Sequence, residues 1–169
     1  MVSLRKIFEK GKNLDDYYKV CDMIKKDNDL AKIFLFKEER IKYSSYAAII
    51  EYNGEDVGFI SILNEKADYN FLTLDMGILN EYRGKGIGKE VLEMIKKIPC
   101  EDFIIGETRK SNIGANKTTS SVGILVAESD EFNYYLLQKE RIEEFIEKDG
   151  LEKLAKHYNS SKNKLKIKE

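Results

Sequence analysis

The residues best equipped for chemistry are Arg83-Gly84-Lys85-Gly86-Ile87-Gly88-Lys89, which hold three of the chain's 11 glycines. An apolar run that reads as a strand, Phe71 to Leu79, leads into them, and a helical pattern (Val91, Leu92, Met94, Ile95, Ile98) follows. A strand that passes through a glycine turn into a helix N-terminus suits phosphate. The first-turn N–H groups have no partner within the helix, and the helix dipole places about half a positive charge there. Glycine lets the backbone approach the anion, and Arg83, Lys85 and Lys89 add positive charge. The spacing excludes two common phosphate loops. A P-loop requires G-x-x-x-x-G-K-[ST], but Lys89 is followed by Glu90, and Gly84 to Gly88 is one residue short. A dinucleotide fingerprint, G-x-G-x-x-G, needs its third glycine one residue later than Gly88.

What fits is R-x-x-G-x-G, read as Arg83-Gly84-Lys85-Gly86-Ile87-Gly88. This stretch resembles the acetyl-CoA pyrophosphate motif of the GCN5-related N-acetyltransferase (GNAT) family. The resemblance spans residues 2 to 138. It implies an acyltransferase that takes an acetyl group from acetyl-CoA directly to a primary amine of a small molecule or protein. The cofactor-binding positions it implies are Ile78, Leu79, Arg83, Gly84, Lys85, Gly86, Ile87, Gly88 and Lys89. Backbone N–H groups from Gly84 to Lys89 would hold the pyrophosphate, with Arg83 ordering the loop or touching phosphate. In the family the end of the preceding strand pairs with the pantetheine arm. Here that end is Gly77, Ile78 and Leu79, and the Ile78 N–H is the candidate for polarising the thioester carbonyl. One such preorganised donor contributes about 3–4 kcal/mol.

A second signature, Glu107-Thr108-Arg109-Lys110-Ser111-Asn112-Ile113-Gly114-Ala115-Asn116, resembles the E-V-R-x-x-N-x-x-A stretch of the ribosomal-protein and N-terminal acetyltransferase branch. The resemblance assigns Asn112 to the pantetheine and Glu107 to general base, directly or through water. Flanked by apolar Phe103 to Ile105, Glu107 is expected to have its pKa raised by desolvation, as a base near neutral pH requires. A surface carboxylate paired with Arg109 or a lysine is the competing reading. Asp75, in the strand whose end receives the thioester, is the rival base, and a bulge would decide where it points. The branch places a tyrosine general acid seven residues after the asparagine; here that position is Thr119. A threonine hydroxyl is a poor acid beside a tyrosine of pKa about 10. Tyr134 or Tyr135 could supply the proton, water could do so, or turnover is slow. A half-buried aromatic strand pair is the structural reading of Tyr134-Tyr135.

These groups need elements to position them. Val2 to Phe8 reads as an opening strand. Asn13 or Asp15 offers an N-cap for a helix with Tyr17, Val20, Cys21 and Ile24 on one face, and Leu30 to Tyr43 reads as a second helical stretch. Tyr46 to Tyr52 and Asp56 to Leu63 flank Asn53-Gly54-Glu55, a hairpin signal, and the polar stretch Asn64 to Asn70 leads to the strand Phe71 to Leu79. The helix after the glycine loop should end near Ile98-Pro99. Phe103 to Arg109 reads as a strand, Ser111 to Val122 as a helix with Gly123 at C′, and Ile124 to Glu128 and Phe132 to Gln138 as a closing pair. That order is the GNAT order. It implies an α/β (α+β) domain over 1 to 138, with a central mixed, mostly antiparallel sheet of about seven strands flanked by helices.

Residues 139 to 169 are read as a C-terminal extension: a charged helix with apolar Ile142, Phe145 and Ile146, a break at Gly150, a short helix on Leu151, Leu154 and Ala155, and frayed residues from Ser160. The helix is expected to pack on the body or on a second subunit. Lysines 153, 156, 162, 164, 166 and 168 would bind RNA if they formed one basic face.

Composition bounds the function. At 169 residues, 42% hydrophobic and 11% aromatic, the chain is about one globular domain. A net charge of −1 gives no field toward nucleic acid or membrane, and no apolar run approaches the ~20 residues of a membrane span. No secretory signal is evident, Cys21 and Cys100 are expected as free thiols, and a single histidine, His157, argues against a metal site. The expectation is a cytoplasmic protein without a metal, with an amine acceptor as partner, nucleic acid disfavoured, and a homodimer compatible. In the family the acceptor lies near the first two helices and the loop before the last strand. Asp15, Asp16, Asp22, Asp27, Asp29, Glu38, Glu39, Glu128, Asp130 and Glu131 there lean toward a cationic amine such as a polyamine, aminoglycoside or lysine. Two rival readings are a CoA-binding regulatory module with a degenerate site and an RNA-directed acetylating factor.

Overall fold

The computed structural model describes residues 1–7, 14–34, 41, 44–64, 71–159 and 166–167. Phe8, Asn13, Glu38, Glu39, the end of the expected second helix at Tyr43, the 65–70 stretch and lysines 162, 164 and 168 lie outside them. The chain divides into two compact units, Met1–Asn64 with Leu74–Val91 and Glu65–Thr73 with Leu92–Glu169.

In the first unit β1 (Val2–Lys6), β2 (Tyr46–Tyr52) and β3 (Glu55–Leu63) form an antiparallel run, with Leu4 opposite Ile50 and Ile49 opposite Phe59. The hairpin turn stands at Asn53-Gly54, both with positive φ (51° and 83°), as a right-twisted two-residue turn requires. Next to β3 lies β4 (Phe71–Ile78). Helix α1 (Asp15–Lys26) starts one residue earlier than an Asp15 cap would give. Leu14 precedes it without a side-chain cap, and Asp15 and Asp16 instead place negative charge in the first turn. Helix α2 (Asn28–Phe34) starts earlier than the apolar pattern implies, because the Asp27 carboxylate accepts from the Asp29 and Leu30 N–H groups. Val20, Met23, Ile24 and Leu30 from these helices pack on Ala47, Ile49 and Phe59 of the sheet. A 3₁₀ turn (Asn80–Tyr82) follows β4, and α3 (Ile87–Lys96) begins after the glycines.

In the second unit β5 (Phe103–Arg109), β7 (Phe132–Leu136) and β6 (Ile124–Glu128) pair antiparallel, with Glu107 opposite Tyr134 and Gly106 opposite Tyr135. Helix α4 (Ile113–Val122) is capped by Asn112, whose Oδ1 accepts from Ala115 N at 3.1 Å. Gly123 follows it, but not as the left-handed C′ residue expected. Its φ is −110°, and an added Cβ would lie 2.6 Å from the Leu136 carbonyl oxygen, so close strand approach selects glycine there. The extension packs on this unit. Phe145 of α5 (Ile142–Glu147) and Leu151 and Leu154 of α6 (Gly150–Asn159) are buried with Phe71, Phe103, Ile105 and Tyr134. The break falls at Asp149 (φ 59°), and Gly150 starts α6 instead of stopping it: a Cβ there would meet the Phe145 carbonyl at 2.5 Å. Arg141 anchors the junction by donating to the carbonyls of Cys100, Glu101 and Asp102 and lying 4.3 Å from the Phe103 ring centroid. Beyond Ser160, where fraying was expected, Lys166–Ile167 forms β8 against Glu128 and Ala127, covering the edge of β6 that a fraying tail would leave open. No described helix is long and apolar enough to cross a membrane.

Candidate active site

The first unit gathers the proposed donor loop. Gly84 and Gly86 adopt φ of +77° and +79°, and a Cβ on either would meet nothing within 4 Å. The two glycines are therefore required by backbone conformation, and the space before them is open. From this turn α3 starts, with Glu90 N–H bonding back to the Gly86 carbonyl at 3.1 Å. The N–H groups ahead of Glu90 have no acceptor within the helix, and Lys85 and Lys89 stand exposed beside them. Lys85 Nζ lies 5.7 Å from the Tyr82 ring centroid. The Tyr82 hydroxyl donates to the Glu55 carboxylate, which holds that hydroxyl's pKa above its ordinary value, with slight burial and the Glu55 and Glu81 charges acting the same way.

The Arg83 guanidinium is engaged by protein groups on three sides. Its Nε donates to the Ile78 carbonyl at 2.8 Å, Nη1 to Asp29 at 2.6 Å, and Nη2 to Asp27 at 3.1 Å. Leu79 N–H donates to the Val57 carbonyl at 2.9 Å, so at this strand end the Leu79 N–H and the Ile78 carbonyl are engaged by protein. One step back, β3 and β4 approach closely: a Cβ on Gly58 would stand 2.3 Å from the Gly77 carbonyl oxygen. Strict alternation fails in β4, where Thr73 and Leu74 are both buried and Asp75 and Met76 both half-buried. Asp75 thus sits where the strand is irregular.

The second unit holds Glu107, Asn112 and Tyr134. Glu107 is exposed, so the burial expected to raise its pKa is not present. It shares a face with Tyr134, which is fully buried among Phe103, Ile105, Leu136 and Phe145. Tyr135 lies on the other face of the strand pair, the one that carries α4. Gly106 is its cross-strand partner, and a Cβ on Gly106 would meet the Thr119 methyl at 3.3 Å. The Tyr135 hydroxyl donates to Asn116 Oδ1 at 3.0 Å. Burial pushes its pKa up, against a smaller opposing effect from Asn133. Asn116 is a hub: its oxygen also accepts from Thr108 Oγ1 (2.7 Å) and Asn133 Nδ2 (2.8 Å), and its Nδ2 donates to the Arg109 and Asn112 carbonyls, both at 2.8 Å. Among the described residues no cluster of metal-ligating side chains occurs.

The acidic side chains of α1 and α2 are less available than their number suggests. Arg5 binds Asp16 (3.2 Å), Glu51 (3.0 Å) and Asp56 (3.0 Å). Asp27 is spent on Arg83 and on the α2 cap. Sequence reading missed both Asp27 and Asn116 as organisers. The signals were local: Asp27 stands at a helix start, and Asn116 lies one turn after Asn112 on the same helix.

Residues 44–119 match the family model described as an acetyltransferase (GNAT) domain. No curated protein sequence matches the chain. Among solved structures, Campylobacter jejuni N-acetyltransferase PseH, bound to acetyl coenzyme A, is 15% identical, with TM-score 0.55 over 80% of this chain and 96% of its own. An aminoglycoside acetyltransferase in complex with coenzyme A is 16% identical, with TM-score 0.61 over 85% of this chain and 98% of its own. RimL, a ribosomal L7/L12 alpha-N-protein acetyltransferase, is 12% identical, with TM-score 0.57 over 80% and 93%. The α/β fold expected from the order of elements is the fold of these proteins. Residues 44–119 are thus similar to the acetyltransferase (GNAT) domain, and the chain shares the fold of these N-acetyltransferases.

Proposed function

We propose that this chain is an acetyl-CoA-dependent N-acetyltransferase acting on a primary amine, with its donor site on the Gly84–Lys89 loop. The observation that carries the reading is the loop itself: two positive-φ glycines with open space before them, opening a helix inside the matched family segment. Those residues fit a pyrophosphate, because unbonded first-turn amides and exposed Lys85 and Lys89 complement its charge.

Acetyl-CoA supplies the thioester acyl group. The protein's tasks are then to hold the donor, polarise its carbonyl and move two protons. Amides 84–89 hold the pyrophosphate, Asn112 the pantetheine, and the Ile78 N–H polarises the carbonyl. The acceptor nitrogen gives up a proton and forms the C–N bond as the C–S bond breaks, and the departing sulfur takes a proton. Glu107 is the proposed base, working through water because it is exposed; Asp75 is its rival on β4. For the acid, Tyr135 is favoured over Tyr134. It lies on the α4 face beside Thr119, where the related branch keeps its tyrosine, whereas Tyr134 is enclosed in the apolar core. A small-molecule or protein amine is the acceptor, and the exposed Asp15 and Asp22 favour a cationic one. Two free thiols, Cys21 and Cys100, fit a reducing compartment, which supports a cytoplasmic location.

Calorimetric titration of acetyl-CoA into the wild-type protein and Gly86→Glu tests this reading. Micromolar binding that disappears in a folded Gly86→Glu variant is the expected result. A folded wild-type protein that binds no acetyl-CoA would leave the loop as scaffold and remove the activity with it.

A further inference from the structure

Asp27 lies outside the matched family segment, at the joint between α1 and α2, and its side chain is 5% exposed. Both of its oxygens are engaged. Oδ1 accepts from Asp29 N–H (3.0 Å), Leu30 N–H (3.1 Å) and Arg83 Nη2 (3.1 Å), and Oδ2 accepts from Asn80 N–H at 2.8 Å. Capping α2 would need one oxygen. The other reaches across 53 residues of sequence to the first residue of the 3₁₀ turn that leads into the glycines. The arginine held by the same carboxylate continues to the Ile78 carbonyl at the end of β4. The carboxylate therefore holds Asn80 and Arg83 directly, and Ile78 through Arg83, in the segment from which the glycine loop departs.

We propose that Asp27 is a positioning residue of the donor loop: through Asn80 N–H and Arg83 it sets the direction in which the Gly84–Lys89 amides face the donor's pyrophosphate. This rests on the reading that the loop binds that pyrophosphate. The physical reason for a buried carboxylate is directional. Gly84 and Gly86 make the turn easy to form but also easy to deform, so its orientation must be imposed from outside. A charge-assisted, four-donor carboxylate at a helix joint is a stiff reference point. Asp29 provides the internal comparison, since it also binds Arg83 but is 61% exposed and does not touch Asn80.

The test is calorimetry of CoA with the wild-type protein, Asp27→Asn, Arg83→Gln, the double variant and Asp29→Asn, with the melting temperature of each recorded without ligand. Asp27→Asn keeps one oxygen for the α2 cap, so the variant retains a means of folding. The expected result is a loss of about tenfold or more in CoA affinity for Asp27→Asn and for Arg83→Gln. The double variant should bind no more weakly than the worse single, and Asp29→Asn should bind within about twofold of wild type. A structural effect of Asp27 independent of the loop would instead give additive losses in the double variant, and that outcome overturns the proposal. So does a folded Asp27→Asn that binds CoA like wild type. Absence of CoA binding by the wild-type protein would be a failure of the donor-site reading, recognisable because it precedes any comparison of variants.

Discussion

The Tyr135 hydroxyl donates to Asn116 Oδ1 at 3.0 Å, which ties the last long strand to the helix that follows Asn112. The same oxygen receives Thr108 and Asn133, so one amide side chain joins β5, β7 and α4. Tyr135→Phe removes one of these donors and leaves the others in place. Its stability should fall by about 1 kcal/mol, while kcat falls and acetyl-CoA affinity is kept if the hydroxyl supplies the departing sulfur's proton. Tyr134→Phe, inside the core, should leave kcat unchanged. Steady-state kinetics of both variants decides the assignment; equal effects on kcat would remove Tyr135 from the mechanism.

Two glycines resist substitution for different reasons. Gly86→Ala asks a side chain to adopt φ +79° in open space, a strain of about 1–2 kcal/mol. Gly123→Ala keeps an ordinary φ but drives a Cβ to 2.6 Å from the Leu136 carbonyl, which separates β6 from its neighbour and should cost more, about 2–4 kcal/mol. Urea denaturation of the two variants should rank them in that order, and the reverse ranking would contradict this account of the α4–β6 corner.

Stability should carry an acid-side signature from Asp27. Burial alone would raise its carboxyl pKa, but hydrogen bonds from Leu30 and Asn80 N–H and the charge and hydrogen bond of Arg83 outweigh it and hold the carboxyl below its ordinary 3.8. A depressed pKa stabilises the fold above the unfolded-state value, about 3.9, and the contribution fades as pH falls through the folded-state value. Asp27→Asn should therefore be less stable than wild type at pH 7, with the gap narrowing as pH falls below the ordinary carboxyl value toward the lower folded-state one. Urea midpoints of both proteins across that range measure it. A gap that stays constant with pH would mean that the charge of Asp27 contributes nothing.

The chain's local chemistry determined a good part of this. Gly84 and Gly86 could be recognised because a turn into a helix needs residues tolerant of positive φ, and Asn53-Gly54 because a two-residue hairpin needs the same. The helix read over Ser111 to Val122 starts two residues later, at Ile113, because Asn112 caps it. Continuous apolar runs located β2, β3 and β5, and a period-3.6 apolar pattern located α3, because both are set by neighbours in sequence. Tertiary structure decided what distance in sequence conceals. Arg83 is held by Asp27 and Asp29, more than 50 residues earlier, partners that no local pattern announces. Tyr134 and Tyr135 are equivalent as text, yet alternation along β7 sends one into the apolar core and the other to Asn116. Gly123 does follow the last residue of α4, but the Leu136 carbonyl that excludes a Cβ there belongs to a segment whose approach no local pattern encodes.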